Sequence, residues 1–344
     1  MSKIKKVFLV FVLTCFILNI ATNVYAGYGI KITNLNNNTT RTLTYAENGK
    51  IECDNGIITF KYVKGSTTTY RKIIFTNSTF KQYDSNGKQI GDIYNKPGYD
   101  FQALLSKAKA GGTLTVRFYR GIFRIYGPYR IYGNTSLISP NKDAIFEKYN
   151  NVYSFINTDD VSAESYKFSK GNYAGSGNIR FEGIDFNMRG LNPQIAKFIH
   201  ATGINLIDCT FRNGKYNSHV LEFTSLKNVS VKGCIFKDLL VGIGNVKTGD
   251  YEVIQIESAT KKAFPYCLYS KYSYSQRCSN IKIENCKFNG ILRGIGNHSS
   301  STNKENFQGK IELNDLNFTN VIEDKIHFED KTKDLFITNV TPIK

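Results

Sequence analysis

Several things are scarce in this chain, and each scarcity removes a class of explanation. Beyond residue 26 no stretch is long and apolar enough to cross a bilayer, which argues against a second membrane-embedded element. Acidic residues are few, 28 against 45 lysines and arginines, so the formal charge is +17. No recognised nucleic-acid motif or basic helix accompanies that charge, which ranks glycans above DNA as the polyanion attracted. The repeated segments lack a leucine-rich consensus, and no i, i+3, i+4 apolar pattern separates them, so a helical or leucine-rich solenoid is disfavoured. Histidine is also rare, with four in 344 residues, and one of them, His298, closes the segment "LRGIGNH".

The N-terminus is informative. Residues 1–26, MSKIKKVFLVFVLTCFILNIATNVYA, combine a lysine-rich start, an apolar run from Val7 to Ile20 and small residues suited to cleavage after Ala26, as in a secretory signal. Removing Lys3, Lys5 and Lys6 with it lowers the charge from +17 to +14. The expectation is a released, strongly basic extracellular protein with no membrane contact after cleavage. Six cysteines remain: Cys53, Cys209, Cys234, Cys267, Cys278 and Cys286. A chain this long can bury a core without staples, so each must be judged in its own context.

That context is a repeat. The segments "NIRFEGIDF", "GINLIDCTF", "NVSVKGCIF", "NIKIENCKF" and "KIELNDLNF" end at Phe186, Phe211, Phe236, Phe288 and Phe318. Each is an alternating strand, a turn-like pair such as Glu182-Gly183 or Glu284-Asn285, and an apolar-x-Phe ending, the mark of a β-solenoid. Two positions before each Phe stand Ile184, Cys209, Cys234, Cys286 and Leu316. Cysteine exchanging with Ile and Leu behaves as a small buried hydrophobe, so these three are predicted to form an interior column of thiols. Cys267 and Cys278 lie in an irregular tract, where a local disulfide and two free thiols are both open.

Ahead of the repeats, "FQALLSKAKAGG" places apolar residues at 101, 104, 105 and 108 on one helical face and ends at Gly111-Gly112. A capping helix covering the first coil fits this order. Residues 27–96 read as a small β-rich segment, with "IITFKYV" and "KIIFT" as strands, and residues 97–344 as the solenoid. The helix, the "GTL-x-V" strand, "RIYGNTSLI" and the I-x-I-x-x-C-x-F coils resemble the right-handed parallel β-helix proteins of the pectate-lyase-like superfamily. "NSHVLEF", "EVIQIE" and "RGIGNHS" resemble more narrowly the secreted β-helix proteins of Gram-positive bacteria. The resemblance spans roughly residues 98–340 and implies an all-β, single-stranded right-handed parallel β-helix. Because that superfamily holds lyases, hydrolases, epimerases, depolymerases and binding proteins, it implies no single activity.

Aligning "HVLEFT", "EVIQIE", "RGIGNH" and "DKIHFE" turns Leu221, Ile254, Ile295 and Ile326 inward, with Phe223, Ile256 and Phe328. Glu222, Gln255, Gly296 and His327 then form one outward column, and Thr224, Glu257, His298 and Glu329 the next, on an exposed face. His219, Glu252, Arg293 and Asp324 stand where these strands begin. Glu222 and Glu257 would lie roughly 8 Å apart at their α-carbons, a spacing suited to inverting hydrolysis. Alternatively Arg293 would neutralise a uronate while His219 or His298 removes a proton, as β-elimination requires. Solvated or mutually paired charges are the plainer account of any one of these residues.

The tract after Glu257, "SATKKAFPYCLYSKYSYSQRCS", carries Lys261, Lys262, Phe264, Tyr266, Tyr269, Tyr272 and Tyr274 and is read as a loop walling the groove. Gln255, Lys261, Lys262, Tyr266 and Tyr269 are the candidate substrate contacts. His200 has no assigned role, and the two GIGN segments, Gly242–Asn245 and Gly294–Asn297, are read as turns. The superfamily's calcium-binding aspartate cluster and its paired-aspartate and Gly-His-Gly signature are both missing, so no cofactor is predicted, with calcium left open. The leading expectation is a carbohydrate-active protein that binds and cleaves an acidic polysaccharide, as a lyase or glycoside hydrolase. The other is a non-catalytic glycan-binding or adhesive surface protein.

Overall fold

The computed structural model describes strand backbones at 30–33, 40–43, 50–53, 57–64, 67–74 and 80–83. It describes residues 99–110, 112–118, 121–157, 176–242, 251–257, 278–297, 309–328 and 335–341 more fully. Among these the chain is an all-β, parallel, solenoid-like structure of two main sheets, one of 16 strands and one of 7.

Each coil contributes two strands to the long sheet and one to the short sheet. In one coil these are Ile179–Glu182, Ile184–Asn187 and Ala196–Ile199; in the next, Thr202–Ile207, Thr210–Arg212 and Leu221–Thr224. The long sheet therefore has two limbs, joined where the 11-residue strand Ile311–Val321 pairs with both Ser279–Glu284 and Lys287–Ile291. Between the limbs a single residue turns the corner in the left-handed region: Gly183, Asp208, Gly233, Asn285 and Asp315, with φ of 65°, 52°, 64°, 55° and 53°. Glycine, asparagine and aspartate tolerate that conformation best, which explains the turn-like pair recurring in every repeat.

The interior follows the repeat. Phe186, Phe211, Phe236, Phe288 and Phe318 are register partners, stacked at 5.1, 4.9, 4.9 and 4.6 Å between ring centres and within 12° of parallel. Cys209, Cys234 and Cys286 are buried free thiols beside this ladder. Burial, then the neighbouring thiols, push Cys234 well above its ordinary pKa, so its thiol stays protonated. Cys278 is buried too: its Sγ lies 3.3 Å from the Glu257 carbonyl and receives the Leu226 N–H at 3.3 Å. Burial raises its pKa to about 12. Cys278 is thus a core thiol, and Cys267 lies outside the described residues.

At the other end, Tyr99–Leu105 is helical and continues as a 3-10 turn, Ser106–Ala110. Phe101, Leu104, Leu105 and Ala108 are buried, the face expected from the spacing. Phe101 meets Tyr129 edge-on at 5.0 Å and Phe118 at 6.0 Å. Gln102 accepts the Arg130 N–H at 2.7 Å and donates to its carbonyl at 3.2 Å, satisfying the edge of the short sheet. The edge of the long sheet is paired by an antiparallel hairpin, Ile57–Lys64 with Thr67–Ile74, whose first strand joins Thr113–Phe118.

Candidate functional site

The short sheet carries the aligned strands in the expected register. Leu221 pairs with Ile254, Ile254 with Ile295 and Ile295 with Ile326, and the adjacent column runs Glu222, Gln255, Gly296, His327. Thr224 pairs with Glu257. His298, Lys261, Lys262, Tyr266 and Tyr269 lie outside the described residues, as do Phe264, Tyr272, Tyr274 and Glu329.

The environment of that column departs from the expectation. Glu222 and Gln255 are 5% and 3% exposed, so this face is covered rather than open. Glu222 is ion-paired with Lys197 and accepts a hydrogen bond from the Tyr153 hydroxyl at 2.7 Å. Lys197 is the register partner of Glu222 one coil earlier, and its ammonium also sits 5.3 Å from the Tyr153 ring centre. Burial alone pushes the Glu222 carboxyl up, but the Lys197 charge and hydrogen bond, with that of Tyr153, hold it below the usual glutamate value. Burial, then the Glu222 charge, raise the Tyr153 hydroxyl well above its ordinary range, so it remains a donor.

Glu257 and Glu222 are each engaged by other groups. Glu257 accepts hydrogen bonds from Thr224 Oγ1 at 3.2 Å and Gln255 Nε2 at 3.3 Å. Glu222 turns toward Lys197, because a buried carboxylate needs a cation more than it needs another carboxylate.

A second group forms where the strands begin. Glu252 is fully buried and pairs in register with Arg293. Its carboxylate lies 3.7 Å from His219 Nδ1 and 3.8 Å from an Arg293 nitrogen, and Arg293 Nε donates to Glu323 at 2.6 Å. His219 Nδ1 lies 2.8 Å from the Glu252 backbone carbonyl. A carbonyl oxygen only accepts, so Nδ1 carries the proton, and the basic lone pair of the neutral imidazole is on Nε2. His327 Nδ1 is 3.0 Å from Asp324 Oδ2.

One further reading is corrected by the geometry. Gly294–Asn297 is not a turn but part of the strand Arg293–Asn297. Its glycines allow close approach of the next coil: a Cβ on Gly294 would come within 2.1 Å of the Lys325 carbonyl, and one on Gly296 within 1.7 Å of the His327 carbonyl. Phe328 is half-buried and packs against the core, as its inward reading expects, and it pairs with buried Asn297, a polar interruption of that column. His200 is buried at a left-handed corner, φ 52°, matched by Ser225 in the next coil.

Sequence reasoning passed over Lys197, although its 25-residue offset from Glu222 is the interval separating Phe186 from Phe211. Tyr153 and Glu323 left no such signal, since both lie outside strands.

No protein-family model and no curated protein matches the chain. Among solved structures it resembles PfbA, a surface adhesin of Streptococcus pneumoniae, with a TM-score of 0.56 and 20% identity over 70% of this chain and 58% of that one. The chain thus corresponds to little more than half of that protein. A second PfbA structure aligns at TM-score 0.45 and 17% identity, covering 70% of this chain and 84% of that one. A protein from Parabacteroides merdae, provisionally described as a glycosyl hydrolase, aligns at 0.40 and 10%, covering 70% and 86%. At such identities the first likeness establishes the fold, a parallel β-helix-like solenoid.

Proposed function

We propose that this is a secreted, surface-located protein built as a right-handed parallel β-helix of the pectate-lyase-like type, and that it binds an acidic polysaccharide along the short sheet. In this reading residues 1–26 are removed on export, residues 27–96 form an N-terminal segment, and Tyr99–Leu105 caps the β-helix of residues 97–344. The observation that carries it is the excess of 45 lysines and arginines over 28 acidic residues. The chain's positive charge and the likeness in fold to a bacterial surface adhesin support the location and the polyanionic ligand. Gln255, Glu257, His298, Lys261, Lys262, Tyr266 and Tyr269 are candidate contributors to the same face.

Cleavage is a second reading, favoured by the tautomer of His219. With Nδ1 fixed as donor, Nε2 is the acceptor required of a general base in β-elimination. Hydrolysis through Glu222 and Glu257 is less well served, because Glu222 is held anionic by Lys197 and lacks the proton that a general acid must deliver.

The mature protein, offered a panel of uronate-containing and neutral glycans, is expected to retain the acidic ones in affinity electrophoresis. Ultraviolet absorbance of an unsaturated uronate would establish elimination, and new reducing ends without it would establish hydrolysis. Binding without product leaves the adhesive function standing, and no binding to any acidic glycan refutes the proposal.

A further inference from the structure

The outer surface of the first coils carries a group of residues that none of the preceding chemistry uses. Lys148 pairs with Ile125, and Glu147 with Asn187, so extending each register by a residue or two brings Tyr126, Tyr149 and Arg189 into one column beyond the strand ends. The side chains follow it. Tyr126 and Tyr149 stack at 5.2 Å and 30°, and the Arg189 guanidinium lies 4.0 Å from the Tyr149 ring centre. Arg124 approaches the same ring at 5.7 Å, so both guanidinium groups lie within 6 Å of one aromatic centre.

Arg189 differs from three other arginines of the solenoid. Arg212 holds Asp185, Arg180 holds Glu182 and Arg293 holds Glu323. Exposed Arg189 has no carboxylate partner among the described residues, and its guanidinium is occupied only through its face. Its backbone is held at φ 55°, with its N–H donated to Asn187 Oδ1 at 3.2 Å. A non-glycine residue is costly there, so the arginine is presented by a conformation that the rest of the coil must sustain. Glu147, the register partner of Asn187, is engaged by the Tyr149 hydroxyl at 3.4 Å and Asn187 Nδ2 at 3.5 Å. The two tyrosines are half-exposed.

We propose that Arg124, Tyr126, Tyr149 and Arg189 form a subsite for a uronate residue of an acidic polysaccharide, separate from the short-sheet cluster. The sugar carboxylate meets the planar donor edge of Arg189, which suits a bidentate contact, while the sugar's C–H surface rests against the tyrosine pair. Arg124 adds charge from the neighbouring coil. The inference rests on the polysaccharide-binding function proposed above and gives it a second point of attachment.

The test is titration of the mature chain with a defined oligogalacturonide, with a neutral dextran oligosaccharide and a short single-stranded DNA as comparators. Arg189→Ala is expected to weaken oligogalacturonide binding about tenfold, the scale of a lost charged hydrogen bond, and Arg189→Lys is expected to recover part of that loss. Tyr149→Ala should weaken it as well, and Arg180→Ala, which removes an equal charge elsewhere, should leave it within about twofold. Unchanged melting and circular dichroism of the Arg189 variants separate lost contact from lost fold. Native binding that survives Arg189→Ala and Tyr149→Ala unaltered overturns the subsite but not the proposed function. Absence of native binding overturns both. Tighter binding of the DNA, lost in the same variants, overturns the uronate assignment.

Discussion

The long and short sheets obey the same alternation but treat their outward charges in opposite ways. On the long sheet, strands such as Ile179–Glu182 alternate buried and half-buried residues, and the outward pair Arg180–Glu182 is 44% and 28% exposed. On the short sheet, Ala196–Ile199 and Leu221–Thr224 are buried at every position, and the pair Lys197–Glu222 is 11% and 7% exposed. Solvated charges cost little to keep and contribute little. Buried ones are tolerated only with good partners, so their concentration on one sheet marks where the molecule departs from plain solenoid construction.

The sharpest way to break this contrast is to remove one member of the buried pair. Lys197→Ala leaves Glu222 buried with its main counter-charge gone and is expected to lower unfolding free energy by about 3–5 kcal/mol, read from urea denaturation. Replacing both partners, Lys197→Met with Glu222→Leu, should cost much less, because the same volume is filled without a desolvated charge. A double variant as unstable as Lys197→Ala would show that packing, not charge, dominates the site.

Acid and base titrations sharpen the comparison further. Glu222 titrates below its ordinary value in the fold, so its contribution is complete above the unfolded glutamate pKa and is lost as pH falls through the folded one. Glu222→Gln should flatten that acid limb. Lys148, fully buried on the long sheet, gives the opposite case. Its ammonium donates to the carbonyls of Asn192 at 2.7 Å and Gln194 at 2.6 Å, and burial lowers its pKa from 10.5 to about 7. Between these values the unfolded chain binds more protons than the folded one, so stability should rise with pH from about 7 toward 10.5. Lys148→Met should remove that rise, and an unchanged slope would show that Lys148 is not its source.

The smallest effect belongs to the exposed pair. Arg180→Ala is expected to change stability by about 0–1 kcal/mol and to lose even that at high salt. A larger cost would mean that the two sheets do not differ in the way their exposure indicates.

Much of this was legible before any coordinates. Aligning "HVLEFT" with "EVIQIE" placed Glu222 beside Gln255 and Leu221 beside Ile254, because a parallel register follows directly from self-similar segments. The thiol column was legible for the same reason, cysteine exchanging with Ile184 and Leu316 at a single position. Alternation states which side of a sheet a residue occupies, but not what lies over that side, and so the covered state of Glu222 and Gln255 was hidden. Glycine was misread in "RGIGN", where close approach of the next coil, rather than a turn, demands it.

What the sequence determined by itself is the solenoid: its period, its interior ladders, its left-handed corners and the register of its strands, all of which are local patterns repeated from coil to coil. The tertiary structure alone decided the pairing and burial of the charges. Lys197 meets Glu222 and Tyr153, and His219 meets Glu252, through contacts between residues 25 to 69 positions apart, and the energy of a charge depends on the neighbours and solvent that only the folded chain assigns to it.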